Sequence, residues 1–200
     1  MIQEIRDNPK ILKYLDIPLQ HCEDRILKLM GRRGTKAAYI KLFDKLRAEI
    51  PGIALRTTFI TGFPTETEEE HRALIEFIGQ VKFENAGIFA YSREPETPAY
   101  KMQGQIPAGT KKRRQRELYR TQQAVSKSIL QSFVGKTLSV VCDGVDDEGT
   151  GFVGRAYFQA PEIDGNVFFT APRAKEGEVY HIKIEGSCDY DLFGTACDEE

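Results

Sequence analysis

Residues 55–67, LRTTFITGFPTET, constrain the fold of this chain more than any other stretch. An apolar, β-prone run breaks on Gly62-Phe63-Pro64 and enters an acid-rich segment, the pattern of a buried strand turning into a helix. In parallel α/β proteins the loops at the C-terminal ends of strands carry the binding and catalytic groups. Chemistry is therefore expected at this turn and at its equivalents on neighbouring strands.

The flanking sequence repeats the rhythm. Residues 11–19 read as a strand and 24–30 as a short helix, with Gly31 placed to end it. Tyr39, Leu42, Phe43, Leu46 and Ile50 form the stripe of an amphipathic helix that stops at Pro51-Gly52. The strand 54–61 follows. Thr67 with Glu70 forms a capping box opening a helix whose Leu74, Phe77, Ile78 and Val81 face the core, and 86–91 is a third strand. This β-α-β-α-β order predicts parallel strands joined by crossover helices. After a Pro- and Gly-punctuated loop, a long helix is expected over 108–133, with Leu118, Val125, Ile129 and Phe133 facing inward. The domain boundary is placed at its end, dividing the chain into 1–133 and 134–200. Beyond it, strand signals at 136–143, 151–158, 166–171 and 178–185 predict a small all-β barrel of OB-like size. Three parallel strands cannot close a barrel, so the first module reads as part of a larger one, with its missing half upstream or on another polypeptide.

Hydrophobic residues make up 40% of the 200 and charged residues 29%, as in an ordinary soluble chain, and no apolar run approaches a membrane span or a secretory h-region. A cytoplasmic location without membrane association is the expectation. Cys22, Cys142, Cys188 and Cys197 show no CxxC or CxxxCxxC spacing and read as four reduced thiols packed as small hydrophobes, with no metal site assigned. Charge is divided unevenly. Residues 134–200 hold five Lys and Arg against fourteen Asp and Glu, a net of -9, which leaves +7 for the first 133. An acidic module repels phosphate and suits a cationic partner.

YLDIPLQH at 14–21, DRILKLMGRRG at 24–34, LRTTFITGFPTETEE at 55–69, FAYSREPETPAY at 89–100, GRAYFQAPEIDGNVF at 154–168 and DYDLFG at 189–194 occur in one order. Together they resemble the C-terminal half of the radical S-adenosylmethionine methylthiotransferases, and most closely the type that modifies an aspartate of a small-subunit ribosomal protein. The resemblance implies an α/β fold, the C-terminal half of a partial (β/α) barrel followed by a TRAM domain. It also implies S-adenosylmethionine and four-iron four-sulfur clusters in the full enzyme. The cysteine pattern that would hold such clusters is not in this sequence, so the chain alone is expected to be inactive without the N-terminal half.

Within that resemblance Gln20 and His21 end a strand, where they bond ribose hydroxyls and substrate or merely satisfy the strand end. Gly62, Phe63 and Pro64 either bring backbone amides to an adenine edge or form a plain βα turn; the family's usual turn is GFPGE, and Thr65 replaces its second glycine. Glu66 accepts from a ligand amine or stabilises the helix dipole. Tyr91 and Ser92 flank the adenine, or Tyr91 packs in the core. Arg32 and Arg33 pair with a substrate or cofactor carboxylate or lie in a solvated loop. The run Lys111, Lys112, Arg113, Arg114 and Arg116 contacts ribosomal RNA or forms a solvated helix face. No catalytic residue is assigned. The reading adopted is the C-terminal part of an aspartate methylthiotransferase acting on a basic ribosomal protein. A tRNA adenosine methylthiotransferase and a non-catalytic TRAM-based module binding the ribosome or RNA are the alternatives.

Overall fold

A computed structural model describes residues 1–197, which divide into two compact units: Met1–Pro9 with Leu15–Gln122, and Lys10–Tyr14 with the chain from Gln123 onward. Asp198, Glu199 and Glu200, the last acids of the 134–200 span, lie outside the described residues.

The first unit contains α1 (Ile2–Asp7), α2 (Asp24–Leu29), α3 (Lys36–Glu49), β2 (Ala54–Thr61), α4 (Glu68–Val81) and β3 (Asn85–Ala90), and it takes in most of β1 (Tyr14–Asp16) and of α5 (Ala108–Gln131). The sheet runs β1-β2-β3, and β2 and β3 pair in parallel from Arg56↔Asn85 to Thr61↔Ala90. Along β2, buried Leu55, Thr57, Phe59 and Thr61 alternate with half-buried Arg56, Thr58 and Ile60, the period of a pleated strand. Phe59 meets Phe77 and Phe83 edge to face, with centroids 6.3 and 5.8 Å away, and Phe83 also packs on Phe43 at 5.0 Å. Four buried phenylalanines of this kind stabilise the unit by roughly 1.5–3 kcal/mol each. The Thr67/Glu70 capping box opens α4 as expected, and Leu74, Phe77, Ile78 and Val81 are buried beneath it.

Two expectations for this unit need correction. The strand expected over 11–19 is confined to Tyr14–Asp16, because Pro18 offers no N–H and Gln20 turns left-handed at φ 73. Pairing resumes as a single bridge, in which the Gln20 amide donates to the Thr58 carbonyl at 2.8 Å and the Ile60 amide to the Gln20 carbonyl at 2.7 Å. Along α5 the buried positions are Arg114, Leu118, Gln122, Ser126 and Leu130, whereas Val125, Ile129 and Phe133 are half-buried. A spacing of four holds one face of a helix, and three polar residues occupy that buried stripe, which an apolar pattern does not reveal.

The second unit is a closed barrel of β4 (Thr137–Val145), β5 (Phe152–Ala156), β6 (Val167–Thr170), β7 (Val179–Ser187) and β8 (Leu192–Ala196), ordered β4-β5-β6-β8-β7. The fifth strand was not anticipated. It runs parallel to β6 and antiparallel to β7, and Gly194 is required there because a side chain would strike the Lys183 carbonyl of β7. Two of the four thiols depart from expectation: Cys22 and Cys142 are buried, but Cys188 is half-buried and Cys197 is exposed. Burial pushes the Cys22 thiol up to about 12, which keeps it protonated at neutral pH.

Candidate functional site

The C-terminal ends of β2 and β3, with the Gln20 bridge alongside β2, bring Gln20, His21, the 62–66 turn, Tyr91 and Ser92 to one end of the first unit's sheet. At the centre is Glu66, whose side chain is fully buried. Its Oε1 accepts from the Thr61 hydroxyl at 3.1 Å and Arg114 Nη1 at 2.9 Å, and its Oε2 accepts from the amides of Gly62 at 2.7 Å and Phe63 at 3.3 Å. These four donors fill the lone-pair directions of a carboxylate. Gly62 holds φ at +74°, and a side chain there would collide with Lys111, so the residue is fixed both by backbone and by space.

This geometry corrects two expectations. Glu66 faces into its own turn and not toward a ligand amine, and the Gly62 and Phe63 amides bond to Glu66, which leaves neither directed at an adenine edge. The turn is a folded anion nest closed on itself. Phe63 and Pro64 are buried, and the Phe63 ring lies 5.2 Å from that of Tyr91, edge to face.

Among the described residues, buried Arg114 Nε and two polar atoms of the strand ends are left without a partner here. His21, fully buried, accepts the Glu23 amide at its Nδ1, 3.0 Å away, so that in the neutral ring the proton sits on Nε2. That Nε2 has no hydrogen-bond partner, and Glu66 Oε2 lies 3.7 Å from it. The buried Tyr91 hydroxyl is likewise unsatisfied, while Lys111 Nζ sits 4.8 Å over the Tyr91 ring and donates to its carbonyl at 2.9 Å. Buried orphan donors are rare in folded proteins and mark a place where a ligand or water completes the bonding. Gln20 lies half-buried beside His21, and the Ser92 hydroxyl donates to Glu94. Arg32 donates to the Pro18 carbonyl at 2.9 Å and Arg33 is exposed, so that pair occupies an exposed turn.

Charge at this end is organised in a network that extends beyond the residues singled out in the sequence. Arg114, only 5% exposed along its side chain, bridges Glu66 and Glu68. Arg113 pairs with Glu68 and Glu117, and Glu117 meets buried His71 Nε2 at 2.7 Å. Burial opposes ionisation of Glu66, but His21, Arg114 and the Gly62 amide hold its carboxyl below the usual range; of these, the Arg114 and Gly62 contacts are hydrogen bonds, whereas His21 at 3.7 Å is beyond one. Arg113, against some burial, and then Arg114 bring Glu68 down to about 2. The basic run is therefore mostly engaged within the fold. Arg114 is buried, Arg113 doubly paired and Lys111 laid on Tyr91, which leaves Lys112 and Arg116 as its exposed members. The i, i+4 spacing of Arg113 and Glu117 was readable in the sequence. The Glu66–Arg114 pair, 48 residues apart, and the His71 contact had no local signal.

Family models match the chain in two places, the Radical SAM superfamily over residues 1–78 and the TRAM domain over 134–197. All 200 residues align at 45% identity with the ribosomal protein uS12 methylthiotransferase RimO of Clostridium botulinum strain Eklund 17B, and at 42% with that of Acetivibrio thermocellus. The RimO of Lachnoclostridium phytofermentans is 46% identical over 197 residues, 98% of the chain. The chain belongs to the RimO-type radical SAM methylthiotransferase family. It spans about 44% of the length of the first two of these relatives and 45% of the third. For the RimO type, the family implies S-adenosylmethionine and four-iron four-sulfur cofactors. The residues present fit these two groups unequally. The orphaned His21 Nε2 and Tyr91 hydroxyl at the strand ends fit a polar ligand such as S-adenosylmethionine. Among the described residues no group of three or more His, Cys, Asp or Glu is placed to hold a metal ion, so this chain's residues do not fit a cluster.

Proposed function

We propose that this chain forms the C-terminal part of a radical S-adenosylmethionine methylthiotransferase that places a methylthio group on the β-carbon of an aspartate in ribosomal protein uS12. The observation that carries the proposal is identity of 42–46% along essentially the whole chain to proteins bearing that name. His21 and Tyr91, with Gln20 beside them, are the residues we assign to the cofactor, since S-adenosylmethionine supplies hydroxyl and adenine acceptors for buried donors. When bound, S-adenosylmethionine is the source of the radical and of the methyl group. The chain's own residues orient it and exclude water: Phe63 and Pro64 close the floor, and the self-contained Glu66 turn sets the strand-end geometry. Gly62, Phe63, Pro64 and Glu66 thus act as positioning residues, Ser92 stays a candidate contact, and Arg32 and Arg33 stay candidates for a carboxylate. The boundary at 133/134 remains our proposal, supported by the TRAM match that begins at 134. A cytoplasmic site of action follows from a ribosomal substrate.

A charge argument favours protein over tRNA as substrate. The 134–200 span carries -9, unsuited to phosphate and complementary to a cationic ribosomal protein. Deleting the gene that encodes this chain tests both: mass spectrometry of uS12 is expected to lose the methylthio-aspartate signal, while methylthio-adenosine in tRNA is unchanged. Loss of the tRNA signal instead would establish the adenosine alternative.

A further inference from the structure

The outer face of α5 carries a row of cations that the fold leaves uncompensated. Lys112, Arg116 and Arg120 follow one another at intervals of four, which aligns them along one side of the helix over about 12 Å. Each stands two residues, about 200° around the helix, from a member of the buried row Arg114, Leu118 and Gln122. They therefore point away from the body of the first unit, and all three are exposed. Among the described residues none of the three meets a carboxylate. The acids of the neighbouring network are already engaged: Glu68 pairs with Arg113 and Arg114, and Glu117 with Arg113 and His71. Like charges four residues apart repel along a helix, so this row destabilises α5 instead of supporting it.

One aromatic ring stands within the row. Tyr119, three residues after Arg116 and next to Arg120, is 42% exposed on the same side of the helix. Among the described residues its ring packs on no other ring and its hydroxyl has no hydrogen-bond partner. A large ring in that position adds little to the core and is open to a flat ligand. Spaced cations with an exposed aromatic among them are the two components by which proteins hold single-stranded nucleic acid: the charges follow the phosphates and the ring takes a base. An acidic peptide would use the charges and leave the ring idle. An anionic membrane would use the charges but requires a broad apolar flank, and this face shows one large ring. The wider charge agrees, since the first 133 residues carry +7.

We infer that this face of α5 binds single-stranded RNA, with phosphates on Lys112, Arg116 and Arg120 and an unpaired base stacked on Tyr119. The guanidinium groups of Arg116 and Arg120 present forked donors that match phosphate oxygens, and Lys112 adds a point charge. The contact takes the backbone and the flat face of any base, so it carries no sequence preference. None of the four residues belongs to the strand-end site, and the surface anchors RNA without entering the chemistry there. The inference rests on the function proposed above only for the source of the strand, which a ribosomal substrate makes ribosomal RNA; the surface chemistry stands without it.

The test is fluorescence anisotropy of a labelled oligouridylate titrated with the full chain from about 50 to 200 mM salt, beside a labelled alternating Glu-Gly peptide and phosphatidylserine vesicles. The oligouridylate is expected to bind alone among the three. Its log affinity is expected to fall with log salt at a slope of about -2, since each phosphate contact on a single strand contributes about -0.7. Arg116→Gln is expected to reduce that slope to about -1.4, and Lys112→Gln/Arg116→Gln/Arg120→Gln to abolish binding. Tyr119→Leu is expected to weaken binding by about fivefold or more and to leave the slope unchanged. Far-UV circular dichroism and the thermal midpoint confirm that each variant is folded. Absence of oligouridylate binding at the lowest salt, undiminished binding by the triple variant or by Tyr119→Leu, or equally tight binding of the peptide or the vesicles would overturn the inference. Oligouridylate binding that depends on these residues while uS12 stays modified in the deletion strain keeps the surface and loses the ribosomal source; the converse keeps the function and loses the surface.

Discussion

At the scale of single residues, the first unit turns on one buried carboxylate. Glu66 gathers its turn by accepting two backbone amides, a hydroxyl and a guanidinium, and removing it takes from buried Arg114 its buried carboxylate, leaving it the half-exposed Glu68 and a backbone carbonyl. Glu66→Ala is expected to cost about 3–5 kcal/mol in urea unfolding, the range for breaking one partner from a buried pair. Glu66→Gln, which still offers an acceptor to the Gly62 amide, is expected to lose less; a loss of under about 1 kcal/mol for the alanine variant would refute the assigned role. The same network sets the acid response. Glu66, Glu68, Glu70 and Glu117 all have folded-state carboxyls below their ordinary 4.5, so each adds stability that is complete above that value and fades as pH falls through the lower one. Glu84, pushed up by burial, has the opposite sign, since its folded state prefers the proton. With these four, and Asp7, Glu69 and Asp146 lowered as well, against Glu84, the thermal midpoint is expected to fall steadily from pH 5 toward pH 2 in scanning calorimetry, Glu68 still contributing until pH nears its value of about 2. A midpoint unchanged across that window would show that these pairs do not stabilise the fold.

Among the elements, the turn between β2 and α4 shows how far the sequence could be read. The strand, its glycine and the capping box were legible because each obeys a local rule: period two along β2, a left-handed residue at Gly62, and Thr67 paired with Glu70. The inward direction of the Gly62 and Phe63 amides was not, because it depends on Arg114 arriving from α5. Thr65 is the residue where local preference and fold disagree. It holds φ at 69°, where a β-branched side chain is strained, at the position that is glycine in the family's usual turn. Its hydroxyl accepts from the exposed Arg25 at 3.1 Å and its methyl packs on Gly104, whose carbonyl takes the Thr65 amide at 2.8 Å. Relief of the strain outweighs one exposed hydrogen bond, less the entropy of the added glycine. Thr65→Gly is therefore expected to stabilise by about 0.5–1 kcal/mol in urea unfolding. A destabilised variant would mean that the Arg25 and Gly104 contacts hold the loop after β3 more firmly than their exposure implies.

For the molecule as a whole, the two units differ in whether their sheets are finished. In the barrel every strand has two neighbours, since β4 pairs with both β5 and β7, and Val140, Cys142, Val167, Phe169, Ile182, Ile184 and Leu192 fill its interior. The turn spacing made that barrel legible, but β8 escaped because its DYDLFG segment lacks strand alternation and pairs through long-range register with β6 and β7. The parallel sheet of the first unit ends in β1, three residues long, and in β3, whose Phe89 is 56% exposed. A parallel sheet is stable when both faces and both edges are covered, and an edge that presents N–H, C=O and an exposed aromatic ring recruits other chains. Residues 134–200 expressed alone are accordingly expected to unfold in one cooperative transition, whereas 1–133 alone should bind a hydrophobic dye and elute as aggregates in size-exclusion chromatography. A monodisperse, dye-silent 1–133 would mean that its helices protect the sheet unaided, and the need for a further covering segment would disappear with it.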